Sequence, residues 1–215
     1  KEVAYDVLDN TLQPYFEPLF EAQGFKHLAF CELGFRHFTT NKQEITCAAD
    51  MKGQSIRVQE APIWFALTDS LGATATPVAF NELYTALSQG MVDGQENPLN
   101  IILSSSYYEV QKYCTLTNHI YLSAPVVFNA DVWNSYPAEV QDMLTKAFEK
   151  GTADQRAASQ EMDSSARAKL EEYGMQVDDV TDHEEWVTAL APVWDFFKSE
   201  YGADGETLIN LALQG

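Results

Sequence analysis

The stretch "LGATATPVAFNELYTALSQGMVDGQENPL", residues 71–99, alternates short apolar runs with helical patterns. A strand is predicted over 75–80 and a helix over 81–90, and a third short strand or loop follows the helix. Asn97 before Pro98 is the pattern of a helix N-cap with proline in the first turn. Strands and helices that alternate at this spacing favour an α/β fold with a mostly parallel sheet.

The sequence on both sides continues this alternation. Upstream, 28–40 and 54–58 predict strands, and 62–71 predict a helix with apolar residues on one face. Downstream, an apolar strand is predicted over 120–129 and a helical pattern over 137–173. The α/β pattern therefore extends over most of the chain.

Two interpretations of the long helical pattern at 137–173 are open. A single helix would be roughly 55 Å long at 1.5 Å per residue and would brace two lobes. Two helices hinged near Gly151, the only internal helix breaker, are the alternative.

Composition excludes several classes of partner. The chain has 215 residues, 46% of them hydrophobic, which suits one large or two small domains. Its net charge of −19 repels nucleic acid and anionic lipid, and no apolar run is long enough for a transmembrane helix. We therefore expect no nucleic-acid partner and no direct membrane insertion.

Motifs for catalysis and for metal binding are absent from the sequence. It contains no nucleophile elbow, Walker, zincin or Rossmann glycine pattern, and its four histidines are far apart. The three cysteines have no metal-ligand spacing and make a disulfide framework improbable. We expect no metal, no cofactor and no enzymatic activity, and an enzyme that uses paired carboxylates is a minor alternative.

Two of the four arginines lie inside apolar, strand-like stretches. Arg36 is in "GFRHF" and Arg57 is in "SIRVQ". A buried guanidinium is costly unless a carboxylate or another anion meets it. Each arginine therefore either pairs with an internal Asp or Glu, or faces a cleft and binds a ligand anion, and the spacing does not decide between the two.

Three runs, "DMKGQSIRV" (50–58), 71–99 and "YYEVQKYCTLTNHIY" (107–121), resemble the solute-binding proteins of tripartite ATP-independent periplasmic (TRAP) transporters, the DctP-like family. The resemblance covers essentially the whole chain. It implies a two-lobed α/β architecture, like that of periplasmic binding proteins, with a long helix that spans both lobes. It also implies a periplasmic protein that captures a small organic acid (a sugar acid, a C4 dicarboxylate or a 2-oxo acid) and delivers it to a TRAP membrane permease.

The resemblance also implies site residues. The arginine of the "KGxxIRV" segment, here Arg57, forms the salt bridge to the ligand carboxylate in the family, and Arg36 often adds a second contact. The aromatic that ends the "TPxxF" strand, Phe80, packs against the ligand, and Asn97 hydrogen-bonds it. All of these positions match the motifs residue by residue.

Two further candidates follow Arg57 on the predicted first turns of the next helix. Glu60 either accepts from hydroxyl or ammonium groups of the ligand or simply stabilises the helix N-terminus, which is the favoured interpretation. Trp64 either lines the cleft or belongs to the core.

The resemblance predicts domain boundaries as well. Residues 1–33 and 123–162 form the remainder of the N-terminal lobe with the long helix, and 34–122 and 163–215 form the C-terminal ligand-binding lobe. Family members carry a further N-terminal segment of about a third of their length, so one lobe is expected to be incomplete here. A binding protein that signals to a receptor rather than to a permease is an alternative function.

Overall fold

The structure, a computed structural model, describes residues 1–214. It contains eight α-helices and six β-strands in this part of the chain, joined by short 3₁₀ turns and one π-helical turn. In chain order they are α1 (Glu2–Asp6), α2 (Gln13–Ala22), β1 (Phe25–Thr40), β2 (Ser55–Val58), α3 (Pro62–Ser70), β3 (Thr74–Pro77), α4 (Leu83–Ser88), β4 (Gly94–Pro98), α5 (Leu99–Ser104), β5 (Tyr113–Asn129), α6 (Ala130–Ser135), α7 (Ala138–Glu172), β6 (Gln176–Asp179) and α8 (His183–Ala212).

The strands form one mixed sheet in the order β3-β2-β4-β1-β5-β6. β2 runs parallel to both β3 and β4, and β5 runs parallel to β6, whereas β1 is antiparallel to β4. The α/β fold class predicted from the sequence is confirmed. The antiparallel β1–β4 pair sets Arg36 opposite Pro98 and His37 opposite Asn97, which fixes the neighbours of the candidate site residues.

The chain divides into two compact units. Unit 1 comprises 1–33, 122–161 and 203–215, and unit 2 comprises 34–121 and 162–202. The C-terminal segment 203–215 therefore clusters with unit 1, although the sequence-based boundaries assigned it to the C-terminal lobe. The physical reason is a break in α8 at Gly202, whose φ of 57° and ψ of −132° are not helical.

Unit 2 is built on two apolar clusters. In one, Phe38 from β1 and Ile56 from β2 pack with Leu67 of α3 and Trp186 of α8. The other joins residues from α4, α5, the 3₁₀ turn after α5, β5, α7 and β6, including Leu83, Ile102, Tyr107, Cys114, Leu170 and Val177. Burial of these side chains supplies the main stabilisation of the unit and holds the strand ends in place.

Unit 1 packs aromatic side chains from α2 against β1. His27 stacks on Phe20 with ring centroids 5.0 Å apart, and Phe30 lies 4.5 Å from His27. Arg156 of α7 forms a bidentate pair with Asp9, at 2.6 and 2.7 Å.

No helix in the described part of the chain is both long enough and apolar enough to cross a membrane.

The long helix is continuous. α7 runs through Gly151 without a break, so the single-helix interpretation of 137–173 is correct and the hinged alternative is wrong. Its residues 138–161 belong to unit 1 and 162–172 to unit 2. A helical glycine costs only about 1 kcal/mol relative to alanine, which 35 residues of helix readily absorb.

Two local predictions in the 71–99 stretch were wrong. β3 ends at Pro77, so Phe80 does not end the strand but begins a 3₁₀ turn that runs to Glu82. Asn97 is not a helix N-cap: it lies in β4 and pairs with His37, and Pro98 occupies the cap position of α5. The backbone of Asn97 is held by the sheet ladder, which local capping patterns cannot reveal.

Candidate functional site

Arg57 lies one residue before the carboxyl end of β2, between Ile56 and Val58, which are both fully buried. These apolar neighbours hold the strand in the core, so the arginine between them is itself only 2% exposed. Its Nε donates to the carbonyl oxygen of Val78 at 2.9 Å. Its Nη1 is buried and has no hydrogen-bond acceptor among residues 1–214.

The electrostatics of Arg57 reflect this incomplete pairing. Burial lowers the pKa of its guanidinium, and the charge of Glu96 offsets only part of that effect, while Arg36 adds to it. An arginine nevertheless keeps its proton in a protein. A buried cation with a vacant donor is therefore stabilised by any anion that reaches it.

Arg36 has a different environment. Its Nε and Nη2 each donate to one carboxylate oxygen of Glu96, and the bond from Nη2 is 2.7 Å long. Nη2 also donates to the backbone carbonyl oxygen of Glu96 at 2.6 Å. The Oδ1 of Asn97 lies 3.1 Å from Nη2, and the Trp64 ring lies 5.1 Å from the guanidinium carbon. The two interpretations left open by the sequence divide between the arginines: Arg36 pairs internally, whereas Arg57 has no such carboxylate.

Glu96 is the centre of this buried network, and a second partner approaches it from β5. The Nε2 of His119 lies 3.5 Å from a carboxylate oxygen of Glu96, and both side chains are completely buried. Thr117 hydrogen-bonds the other ring nitrogen at 2.7 Å, and Phe38 stacks on the ring at 4.4 Å. No local signal in the sequence links His119 to Glu96.

Asn97 and Phe80 were predicted to contact the ligand. Asn97 is 3% exposed, and its amide accepts from Arg36 and donates to Gln95. Phe80 is 53% exposed. Asn97 therefore lies in the arginine network, and Phe80 offers an uncovered apolar surface.

The two remaining candidates differ in position. Trp64 is half-buried in α3 and packs over Arg36, which joins it to the network. Glu60 is exposed and precedes α3, whose N-cap is Ala61, so it does not lie in the first turn as predicted. The structure thus brings Arg36, Trp64 and Asn97 together around Glu96.

Tyr107 is a site neighbour that sequence reasoning missed. Its side chain is 2% exposed, and the charges of Tyr107 and Arg57 act on each other's pKa. Burial raises the pKa of the Tyr107 phenol, so the group is a neutral donor or acceptor at physiological pH. Its only sequence signal was membership of the 107–121 run.

The chemistry available here is anion recognition. Across residues 1–214, no group of three or more His, Cys, Asp or Glu side chains is arranged to hold a metal ion. All three cysteines are free thiols. A cavity of about 390 Å³ in unit 1, lined by residues such as Lys26 and Trp133, contains none of the predicted site residues.

A model of the bacterial extracellular solute-binding proteins, family 7, named DctP, matches residues 1–200. The chain belongs to this family. DctP-family members are solute-binding proteins of transporters rather than enzymes, and the fold described above matches the α/β fold of the TRAP solute-binding proteins.

Three similar proteins illustrate this DctP relationship. A solute-binding protein of Verminephrobacter eiseniae is 39% identical over 94% of this chain and 60% of its own length. The C4-dicarboxylate-binding periplasmic protein DctP of Vibrio cholerae is 35% identical over 89% of this chain and 57% of its own length. A crystal structure of a TRAP periplasmic solute-binding protein from Polaromonas sp. JS666, bound to D-erythronate, has a TM-score of 0.91 at 34% identity and covers 99% of this chain and 69% of that one. The chain thus spans 60% and 57% of the length of the Verminephrobacter eiseniae and Vibrio cholerae proteins.

Proposed function

We propose that the protein is a periplasmic solute-binding protein that captures a small organic acid through Arg57 and delivers it to a TRAP membrane permease. The observation that carries the proposal is the buried guanidinium of Arg57, whose Nη1 has no acceptor in the described chain. A ligand carboxylate completes this donor set and removes the cost of an unpaired buried charge.

Local charge explains how so acidic a protein binds an anion. The net charge of −19 is spread over the surface, where salt screens it within about 8 Å at physiological ionic strength. Arg57 acts at contact distance and in a poorly screened environment, so its attraction exceeds the diffuse repulsion. The fork of an arginine also orients a carboxylate in a way that a lysine does not.

The relatives support the chemical class of ligand. The Polaromonas protein holds D-erythronate, and the Vibrio cholerae protein is named for C4 dicarboxylates. Erythronate and the C4 dicarboxylates are carboxylic acids, and membership of the family supports the proposed periplasmic location and permease partner. We propose Phe80 and Asn97 as further ligand contacts, and Arg36 and Trp64 as the residues that hold Asn97 in place.

A thermal-shift screen of small carboxylic acids on the intact natural protein tests the proposal. An acid that binds raises the melting temperature because it stabilises only the folded state, by about 2.7 kcal/mol at a concentration 100 times its Kd. We expect Arg57→Lys to abolish this shift, because the lysine keeps the charge but loses the fork. Arg167→Lys, in the same unit and at an exposed ion pair with Asp179, is the matched control and should retain the shift.

Two results would contradict the proposal. One is an equal ligand-induced shift in both variants, which would show that Arg57 does not bind the acid. The other is chemical turnover of the bound acid, measured by NMR of the ligand during incubation, which would indicate an enzyme.

A further inference from the structure

A buried hydrogen-bond relay leads away from Asn97 across the β1–β4 pair. The Nδ2 of Asn97 donates to the Oε1 of Gln95, and the Nε2 of Gln95 donates to the Oγ1 of Thr39 at 2.9 Å. Thr39 lies directly opposite Gln95 in the ladder and donates to the Oε1 of Gln111 at 2.9 Å. These four buried residues form the Asn97 relay, and the low local dielectric strengthens their hydrogen bonds.

Each end of the Asn97 relay accepts only one orientation of its amide. The guanidinium of Arg36 has no acceptor atom and its Nη2 lies 3.1 Å from the Asn97 amide, so the amide oxygen must face it. At the other end, the Gln111 amide faces the backbone carbonyl oxygens of Val110 at 3.1 Å and Asp93 at 3.5 Å, so its nitrogen must face them. A flipped amide at either end would set two donors or two acceptors against each other.

Thr39 transmits this orientation because a hydroxyl group has a single hydrogen. That hydrogen goes to the oxygen of Gln111, which can only accept, so Thr39 must accept from Gln95. The nitrogen of Gln95 therefore faces Thr39, and its oxygen faces Asn97. The orientation of Asn97 deduced from Gln111 agrees with the one deduced from Arg36, so a single arrangement of the three amides satisfies every bond.

We infer that Thr39 is a positioning residue of the proposed ligand site: through Gln95 it fixes the Asn97 amide so that its nitrogen, not its oxygen, is available to the ligand. An amide nitrogen carries two hydrogens and the relay uses one, so the other donates to a ligand oxygen. The amide oxygen is already held by Arg36. The inference rests on the proposed function and deepens it, because it gives Asn97 the role of a donor.

Substitution of Thr39 by valine, which keeps the shape of the side chain and removes the hydroxyl, tests this role. Calorimetric titration of the intact natural protein at neutral pH uses D-erythronate, D-glucuronate and succinate as probes. We expect Thr39→Val to weaken the tightest-binding probe by about tenfold, because the Asn97 amide loses its fixed orientation and with it one hydrogen bond to a charged oxygen.

Two variants serve as controls for Thr39→Val. Thr39→Ser keeps the hydroxyl and should bind the probe within about twofold of the unaltered protein. Thr115→Val removes another buried hydroxyl of unit 2, which donates to the backbone carbonyl of Ile45 at 2.6 Å, and it should leave the affinity unchanged. A loss in either control as large as that in Thr39→Val would overturn the inference.

A double-variant cycle separates positioning of Asn97 from a general loss of structure. In an Asn97→Ala background there is no amide to orient, so the addition of Thr39→Val should weaken binding by less than about twofold. A full further loss in that background, or unchanged affinity in folded Thr39→Val, would overturn the inference and leave the proposed function standing. If Thr39→Val does not fold, Gln111→Met, which removes the acceptor of the Thr39 hydrogen, takes its place with the same expected losses. No binding of any of the three acids to the unaltered protein would overturn both.

Discussion

Replacement of Glu96 by glutamine should destabilise unit 2 strongly even without ligand. The substitution keeps the shape of the side chain but leaves the Arg36 guanidinium, 2% exposed, without its counter-charge. Breaking a buried pair by removal of one partner typically costs about 3–5 kcal/mol, because an uncompensated charge stays in a poorly hydrated site. For a chain of this size, that loss corresponds to a fall in Tm of roughly 6–20 °C.

Differential scanning calorimetry at pH 8 measures this fall. Asp142→Asn is the control: it breaks the exposed ion pair with Lys146, whose side chains are 66% and 69% exposed, and should leave Tm unchanged within error. The double variant Arg36→Met with Glu96→Leu removes both charges and should recover much of the stability lost in Glu96→Gln. If Glu96→Gln has the same Tm as the unaltered protein, or if the Tm of the double variant is no higher than that of Glu96→Gln, the proposed energetics of the buried pair are wrong.

Three further predictions concern stability and reactivity. A Cβ at Gly94 would collide with the backbone carbonyl of Thr39, so Gly94→Ala should lower the free energy of unfolding in urea by about 1–3 kcal/mol. Gly151 has open space around it in α7, so Gly151→Ala should raise the free energy of unfolding by up to about 1 kcal/mol. A Gly94→Ala variant more stable than Gly151→Ala would refute both assignments. Burial lowers the pKa of His27 below its ordinary 6.5, so the unfolded state binds more protons than the folded state. The free energy of unfolding should therefore fall as the pH drops below about 6.5. An equal fall in the His27→Phe variant would exclude His27 as the cause. Burial raises the pKa of the Cys114 thiol to about 12, so iodoacetamide at pH 8 should label Cys114 only after the protein unfolds. Mass spectrometry measures this labelling, and rapid labelling of the native protein would contradict the burial of Cys114.

Much of the fold followed from the sequence because its signals are local. Apolar periodicity predicted the helix at 62–71 and the strand at 54–58, and the structure has α3 and β2 there. The long helical pattern predicted helix over 137–173 but left one helix or two hinged helices open, and the structure has the single helix α7. The ends of strands and helices were predicted less accurately. Phe80, for example, begins a 3₁₀ turn rather than ending a strand, because both positions have similar local residue preferences.

The sequence by itself predicted the α/β class and two arginines in apolar strands, because periodicity records both, and its resemblance to a known family implied a solute-binding protein. Only the tertiary structure decided which arginine is free. Arg36 meets Glu96 sixty positions along the chain, through the β1–β4 ladder that also takes Asn97 out of the helix cap. Hydrogen-bond register between distant strands leaves no trace in local patterns, so the vacant donor of Arg57 becomes visible only when the sheet is assembled.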